Sequence, residues 1–437
     1  MKILITGATG FIGGRIARAL LAQGHELVCP VRPGGRLPPA MQASAVPIAF
    51  GDAVHAPQWL PYLAGVDLVI NTIGIFRQGA RHDFETIHVR APLALFRAAR
   101  QAGVRGVVQF SALGADAHAQ TAYHRTKRRA DDGLRALGLP AAIVQPSLVY
   151  GPGGASARLF DGLAALPCVA LPGAGRQMIQ PVHVDDVVDG VLALVRTLTQ
   201  SPAPRAVTVA FCGPRAISLK DYLLVLRTGL GYAGGQFVLP VPQPVAMTAA
   251  RVSGQFPGSL LDVDSLAMLA RGNTADAAPF SALLGRPPRA IERFIEPDQA
   301  AASRASAVLW TALPLLRLAM AFVWLWTAAV SLGLFPVEDS LELLRRTGLP
   351  EAATVPALYG AALLDLCFGV LTLAWRGPGR RWLWLGQMAL ILGYTAILTV
   401  RLPEFWLHPF GPLSKNLPML AALALLYLCE PTGRKER

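Results

Sequence analysis

The first thirteen residues, MKILITGATGFIG, constrain the fold of this chain more than any other stretch. Lys2 to Thr6 is a short run rich in Ile and Leu, the pattern of a buried parallel strand. Gly7, Gly10 and Gly13 follow at GxxGxxG spacing, and Ile12, Ile16, Ala17, Leu20 and Leu21 begin a helical period at once. Strand, glycine turn and helix in that order build a cradle for a pyrophosphate. Glycines let the backbone turn and approach closely, and the helix N-terminus supplies unpaired N–H groups and a positive dipole end. The stretch reads as a dinucleotide site.

The pattern continues as alternating strands and helices. Glu26 to Val31 is a second strand, closed by Arg32 with Arg36 nearby. An acid at that position binds the ribose 2′-hydroxyl, whereas an Arg accommodates a 2′-phosphate, so Arg32 favours NADP(H), with NAD(H) as the alternative. Ile48 to Phe50 reads as a third strand before Gly51-Asp52, where Asp52 can accept a hydrogen bond from the adenine amino group. Val66 to Ile70 is a fourth, running into Asn71-Thr72-Ile73-Gly74, and a residue as small as Gly74 leaves room for the cofactor. A helix over about 83–101 and a fifth strand, Val104 to Phe110, follow. The order predicts an α/β fold with a doubly wound parallel sheet.

Ser111, at the end of that fifth strand, stands where such sheets bind ligands. Tyr123 and Lys127 follow in TAYHRTK at i, i+4, on one helix face. A free Tyr titrates at about 10, and a neighbouring ammonium lowers that value. The pair can exchange a proton with a carbonyl or alcohol while Ser111 hydrogen-bonds the same oxygen.

TGATGFIG at 6–13, Gly51-Asp52, NTIG at 71–74, Ser111, Tyr123 with Lys127, PSLVYGP at 146–152 and PVHVDDVV at 181–188 together resemble the extended and atypical short-chain dehydrogenase/reductases. The branch is the epimerase/dehydratase-like one. Within it the pattern is similar to the group around the NADPH-binding accessory subunit of respiratory complex I. The resemblance spans about 200 residues and continues more loosely through GNTAD at 272–276 and LLGRPPRAIERFI at 283–295. It implies a catalytic set of Ser111, Tyr123 and Lys127. It also implies a cofactor set of Gly7, Thr9, Gly10, Phe11, Ile12, Gly13, Arg32, Asp52, Thr72, Ile73, Gly74, Tyr123, Lys127 and Pro146, with Pro146 beside the nicotinamide. The sequence departs from the sugar-epimerase pattern at His88, where Asn is usual, at Gln145, where Arg is usual, and in a short Ala-rich segment between Ser111 and Tyr123.

Asp185-Asp186 opens an apolar helix over 187–195, where acids cap and complement the dipole, and His183 before it reads as structural. Residues 201–300 are punctuated by Pro and Gly and read as a small substrate subdomain with a strand over 206–212, a helix over 219–230 and a strand over 236–241.

After an Ala/Ser-rich link at 299–306 the composition changes. Hydrophobic residues make up 53% of the 437 and charged residues 15%, a balance that calls for a membrane part. Four apolar runs, at about 308–335, 353–375, 382–400 and 409–429, predict an all-α four-helix transmembrane domain over 301–437, the last run being interrupted by Pro412, Lys415, Asn416 and Pro418. The domains are thus 1–200, 201–300 and 301–437. The basic loop Arg376–Arg381 and the tail residues Arg434, Lys435 and Arg437 should face the cytoplasm, with the N-terminal domain on that side, in a cell inner membrane. An amphipathic segment over 337–348 reads as an outer interfacial helix, and Trp382, Trp384 and Trp406 as interface anchors. Arg317 and Asp365 lie inside spans and are expected to pair or to line a polar cavity. The region, with HPFGPLSKNLPML at 408–420, resembles DoxX-like membrane domains.

The net charge of +13 rests on scattered Arg residues without a nucleic-acid motif, so the surface suits anionic lipid and no nucleic acid is expected as a partner. The five cysteines form no CxxC pair and no metal spacing, and are expected to be reduced and buried in a cytosolic compartment, with no metal site. The N-terminal apolar run is too short for a signal peptide. The expected activity is a membrane-anchored NADP(H)-dependent oxidoreductase acting on a carbonyl or alcohol of a lipophilic small molecule. The alternatives are a non-catalytic, NADP(H)-binding assembly or redox-sensor module of a membrane complex, and a sugar-nucleotide epimerase/dehydratase.

Overall fold

A computed structural model describes residues 1–79, 83–200, 205–255, 262–377 and 379–430. The chain divides into two compact units, Met1–Ala307 and Val308–Arg437.

In the first unit, β1 (Lys2–Thr6), α1 (Gly13–Ala22), β2 (Glu26–Val31), β3 (Ala45–Pro47), β4 (Leu68–Asn71), α2 (Ala91–Gln101), β5 (Gly106–Phe110), α3 (Ala122–Ala136) and β6 (Ala141–Pro146) succeed one another. With the strand Val207–Phe211 they form a seven-stranded sheet in the order Val207–Phe211, β6, β5, β4, β1, β2, β3. Every pairing is parallel. Order reverses between β1 and β4, and that switch point is where doubly wound sheets bind ligands. One face packs Ile3, Ile5, Val108 and Val144 beneath α1 and the helix Val184–Thr199. The other packs Leu4, Val69, Val107 and Ile143 beneath α2 and Trp59. Strands buried on both faces explain their unbroken apolar sequence.

Two details differ from the sequence expectations. The third strand lies at Ala45–Pro47, before the apolar residues 48–50. The helix expected over 83–101 is regular only from Ala91; Glu85–Arg90 is a π-helical turn. Pro92 has no N–H to return to the His88 carbonyl, and the Ala91 N–H bonds Thr86 O, five residues back.

Of the elements expected in a separate subdomain over 201–300, the strand over 206–212 instead joins the main sheet beside β6. The strand Phe237–Val241 and the helix Leu219–Gly229 form outside that sheet, followed by the helices Gln243–Gly254 and Val263–Arg271. Asp185 and Asp186 lie in the first turn of Val184–Thr199, where His183 is the N-cap and its Nδ1 accepts the Asp185 N–H at 3.3 Å. Asp186 is fully buried, accepts the Arg289 N–H at 2.7 Å and pairs with Arg286, so the acid also fastens the segment around 286–289 to this helix.

Among the described residues three helices are long and apolar enough to cross a membrane: the one from Ala300 to Leu334, most of which belongs to the second unit, and Glu351–Ala374 and Arg380–Arg401 within it. The fourth expected span is shorter than its run. Only Asn416–Cys429 is helical, about 21 Å at 1.5 Å per residue against a hydrocarbon core of about 30 Å. Gly411 and Pro412 hold the chain in turns, and Pro418 is tolerated in the first helical turn. The amphipathic segment forms the helix Val337–Arg346.

Arg317 and Asp365 do not pair. Arg317 donates to Glu430 Oε1 at 2.8 Å, as does Arg380 at 3.0 Å. Asp365 is 4% exposed, and its Oδ1 has no hydrogen-bond partner. Trp384 is not an interface anchor but fully buried among Met320, Trp324 and Leu423, whereas Trp382 and Trp406 are exposed. Of the cysteines expected to be buried, Cys168 and Cys367 are exposed. The basic tail 431–437 lies outside the described residues.

Candidate functional site

The glycine turn is sterically exact in its demands. Gly7 has φ +78°, and a Cβ there would stand 2.5 Å from Thr72 Oγ1. A Cβ on Gly13 would stand 2.3 Å from the Gly7 carbonyl oxygen and 2.4 Å from Thr72 Oγ1. Thr72 Oγ1 donates to Thr6 O at 2.7 Å, so the turn is locked to the end of β4. No side chain caps α1 and no acid sits in its first turn. Its N–H groups and dipole are left for an anion, which is how the residues present fit a dinucleotide pyrophosphate. Thr9 and Gly10 are exposed; Phe11 and Ile12 are half-buried, and Phe11 lies under the Arg15 guanidinium at 4.5 Å. Arg32 is exposed directly after β2, and Asp52 is exposed after its turn. Thr72, Ile73 and Pro146 are half-buried at the carboxyl ends of β4 and β6.

Three adjacent strands end in a buried polar chain. Thr6 Oγ1 donates to Asn71 Oδ1 at 2.6 Å, Asn71 Nδ2 to Gln109 Oε1 at 2.7 Å, and Gln109 Nε2 to Phe110 O at 3.2 Å. The register Thr6↔Asn71↔Gln109 produces it.

Ser111 and Lys127 lie at this same edge, and Tyr123, one turn before Lys127 on α3, packs on Ala112 just beyond it. All three are buried, at 4%, 8% and 3% exposure. Lys127 Nζ donates to Phe110 O at 2.9 Å and Ile73 O at 3.3 Å, tying α3 to the ends of β5 and β4. Gly74 makes space for this amine: a Cβ there would stand 3.0 Å from Nζ and 3.7 Å from His88 Nε2. The amine therefore serves the strand ends, and burial holds the Tyr123 phenol above its ordinary range rather than below it.

Asp131 completes the set and escapes a YxxxK reading. It lies four residues past Lys127 on the same face of α3, fully buried, and Ser111 Oγ donates to its Oδ2 at 2.5 Å while Oδ1 has no partner. Burial raises its carboxyl and lowers the Lys127 ammonium, each opposed by the other's charge. The i, i+4, i+8 spacing of Tyr123, Lys127 and Asp131 was the available signal.

His88 has a positioning role. Its Nε2 accepts the Ile75 N–H at 3.0 Å and its Nδ1 donates to Thr126 Oγ1 at 3.0 Å, which holds the segment after β4 against α3. Burial, helped by Lys127, lowers its pKa to about 3, so the ring is neutral. Gln145 Nε2 reaches Ala115 O at 3.4 Å. Phe76 stacks on the Tyr123 ring at 5.3 Å while 73% exposed, and Phe84 meets the same ring edge-on. Met268, from Val263–Arg271, packs on this aromatic group. Arg271 pairs with Asp116 and donates to Gly114 O at 2.8 Å, and Arg77 pairs with Asp262 at 2.8 Å, so that helix is fastened over the site at both ends. Among the described residues no group of His, Cys, Asp and Glu has metal-binding geometry.

Parts of the chain are similar to known proteins. Residues 3–210 match the NAD dependent epimerase/dehydratase family and residues 321–424 the DoxX-like family. Ceramide reductase of Caulobacter vibrioides is 31% identical over 196 residues, 45% of this chain and 61% of that protein. The mitochondrial NADH dehydrogenase (ubiquinone) 1 alpha subcomplex subunit 9 of Mus musculus is 26% identical over 215 residues, 48% of this chain and 56% of the relative. The chain thus spans between half and two thirds of the length of these curated relatives. The crystal structure of a nucleoside-diphosphate-sugar epimerase from Staphylococcus aureus superposes with a TM-score of 0.54 at 18% identity, covering 68% of this chain and all of that one, a likeness of fold. The glycine cradle, the parallel sheet and these matches make residues 3–210 a domain of the NAD dependent epimerase/dehydratase family, and residues 321–424 a DoxX-like membrane domain.

Proposed function

We propose that the chain is a membrane-anchored NADP(H)-dependent oxidoreductase of the short-chain type, acting on a carbonyl or alcohol of a lipophilic molecule. The observation that carries this reading is the convergence of the glycine cradle with buried Ser111, Tyr123, Lys127 and Asp131 at one carboxyl edge of the sheet. Gly7, Thr9, Gly10, Phe11, Ile12 and Gly13 would hold the pyrophosphate, Arg32 a 2′-phosphate, Asp52 the adenine, and Thr72, Ile73, Gly74, Lys127 and Pro146 the nicotinamide half. The nicotinamide supplies a hydride equivalent when bound. Tyr123 Oη exchanges the proton of the substrate oxygen, and its burial favours the protonated phenol, which suits delivery to a carbonyl. Ser111 donates its hydroxyl hydrogen to Asp131, which leaves the Ser111 oxygen to accept from a substrate hydroxyl. The ceramide reductase relative, and the aromatic and Met268 cover over Tyr123, support a lipophilic substrate.

A cytoplasmic first unit in an inner membrane agrees with the basic loop Arg376–Arg381. Glu430 bonded to Arg380 supports a C-terminus on the same side as that loop. A second reading, a cofactor-binding subunit of a membrane complex, is favoured by the likeness to the NADH dehydrogenase subunit and by a Lys127 engaged with strand carbonyls.

The test is NADPH oxidation by the full chain in lipid nanodiscs with a panel of quinones and long-chain ketones. Oxidation that falls by about 10²–10⁴-fold in Tyr123→Phe is the expected result. Binding without oxidation by any member moves the weight to the subunit reading, and turnover untouched by Tyr123→Phe rejects the assigned chemistry.

A further inference from the structure

Beyond the main sheet the first unit carries an apolar surface that the site does not use. The strands Cys168–Pro172 and Phe237–Val241 pair in parallel, with Phe237 opposite Cys168 and Leu239 opposite Ala170. Their inner face, Val169, Leu171 and Val238, packs into the core around Tyr222. Their outer face is Cys168, Ala170, Phe237 and Leu239, all exposed, with Phe237 at 66% and Leu239 at 50%. Parallel strands are ordinarily covered on both faces; this pair is covered on one.

The chain then turns at Pro242 into the helix Gln243–Gly254. Ala246 and Ala250 pack on Leu266. The opposite stripe, Val245, Thr248, Ala249 and Val252, is exposed at i, i+3, i+4, i+7, with Val245 at 58% and Val252 at 53%. Ribbon and helix stripe are consecutive in the chain, and neither contributes a charged side chain to the surface. Sequence around them has no acid: none stands between Asp161 and Asp185, or between Asp221 and Asp262. The exposed charges in those two stretches are Arg176 and Arg251.

We propose that this face lies on the bilayer, with Phe237, Leu239, Val245 and Val252 in the boundary between headgroups and acyl chains. It is a second membrane contact, made by the first unit and separate from the spanning helices. Three features select lipid as the occupant. The chain carries its own spanning helices, so a bilayer is always at hand. Apolar side chains with Arg at the margin match an anionic interface. A patch of this kind is not left to water in a soluble surface. Leu266 of the helix Val263–Arg271 meets Ala246 and Ala250 on the inner face of Gln243–Gly254, and its Met268 meets the Tyr123 group, so the face on the bilayer is joined to the site through two packed helices. The membrane contact itself does not depend on the oxidoreductase reading.

The experiment uses the full chain in nanodiscs of phosphatidylethanolamine and phosphatidylglycerol. Cys168, Cys367 and Cys429 are replaced by Ser, and a nitroxide is placed through Leu239→Cys, Val245→Cys or Val252→Cys, with Arg100→Cys, at an exposed position of α2, as the aqueous control. Power saturation then compares collision with oxygen and with a water-soluble nickel chelate. Oxygen exceeding nickel at the three test positions, and the reverse at 100, is the expected outcome. Nickel exceeding oxygen at the test positions, or both reagents being excluded as by a second copy or a protein partner, overturns the proposal. Unsubstituted protein in nanodiscs bearing a diazirine phosphatidylglycerol gives an independent reading. Lipid adducts in peptides covering 237–254 support the contact, and adducts confined to the spanning helices refute it.

Discussion

At the carboxyl edge of the sheet, Thr6, Asn71 and Gln109 satisfy one another across three strands, beside Ser111, which donates to Asp131, an acid whose second oxygen has no partner. Between the apolar helices, Trp324 Nε1 donates to Gln387 Oε1 and Gln387 Nε2 to Thr372 Oγ1, both at 2.8 Å, while Asp365 has an unpartnered oxygen. The two regions bury polar groups for different purposes. In the sheet they gather at one edge, where the strand order reverses and a ligand arrives, so the chain concentrates reactive groups in one place. In the bundle they are spread along the helices, where lipid gives no hydrophobic drive for association and hydrogen bonds help hold the spans together.

The most damaging change to this contrast is Gly13→Ala. Its methyl would fall 2.3 Å from the Gly7 carbonyl oxygen, backbone that cannot move aside. Loss of nucleotide binding is expected, with destabilisation of about 1–3 kcal/mol from overpacking, read by fluorescence titration and thermal unfolding. Full binding by the variant would show that the turn is not the cradle. Next comes Asn71→Ala, which strands Gln109 and Thr6 in a dry site and should cost about 1–3 kcal/mol. Gln387→Ala removes the equivalent hub of the bundle and should cost less, about 0.6–1.7 kcal/mol, because helices separated in a bilayer find other partners. Unfolding in nanodiscs with Gln387→Ala the costlier of the two would reverse the comparison.

A separate effect is one of pH. Tyr150 Oη donates to Asp161 at 3.0 Å, and burial raises the Asp161 carboxyl from 3.8 to about 6. A raised folded-state value favours the protonated fold, so this contribution is complete below about pH 4 and is lost as pH rises through 6. Asp161→Asn should flatten stability over that window. A wild type and variant of equal slope between pH 4 and 6 would show that Asp161 is not desolvated.

Legibility in the sequence followed the range of the interactions. The glycine turn and the strands could be read because each is set by a few consecutive residues, and Tyr123 with Lys127 because one helical turn relates them. Asp131 was one further turn along the same face, yet its partner Ser111 follows β5, so only the packed fold identifies it. The chain through Thr6, Asn71 and Gln109 needs the register of three strands separated by up to a hundred residues. In the bundle, apolar length located the spans, but Arg317 chose Glu430 over Asp365 because pairing depends on how four helices turn toward each other, which hydropathy does not encode. Trp384 faces the bundle interior for the same reason.

The central claim is that the edge of this sheet holds NADP(H). It is tested most directly by titrating NADPH and NADH against the full chain in nanodiscs, following nicotinamide fluorescence, for wild type and Arg32→Ala. Saturable NADPH binding that Arg32→Ala weakens, with NADH little affected by the change, is the expected result. Failure of both nucleotides to bind the wild type would contradict the account at its root.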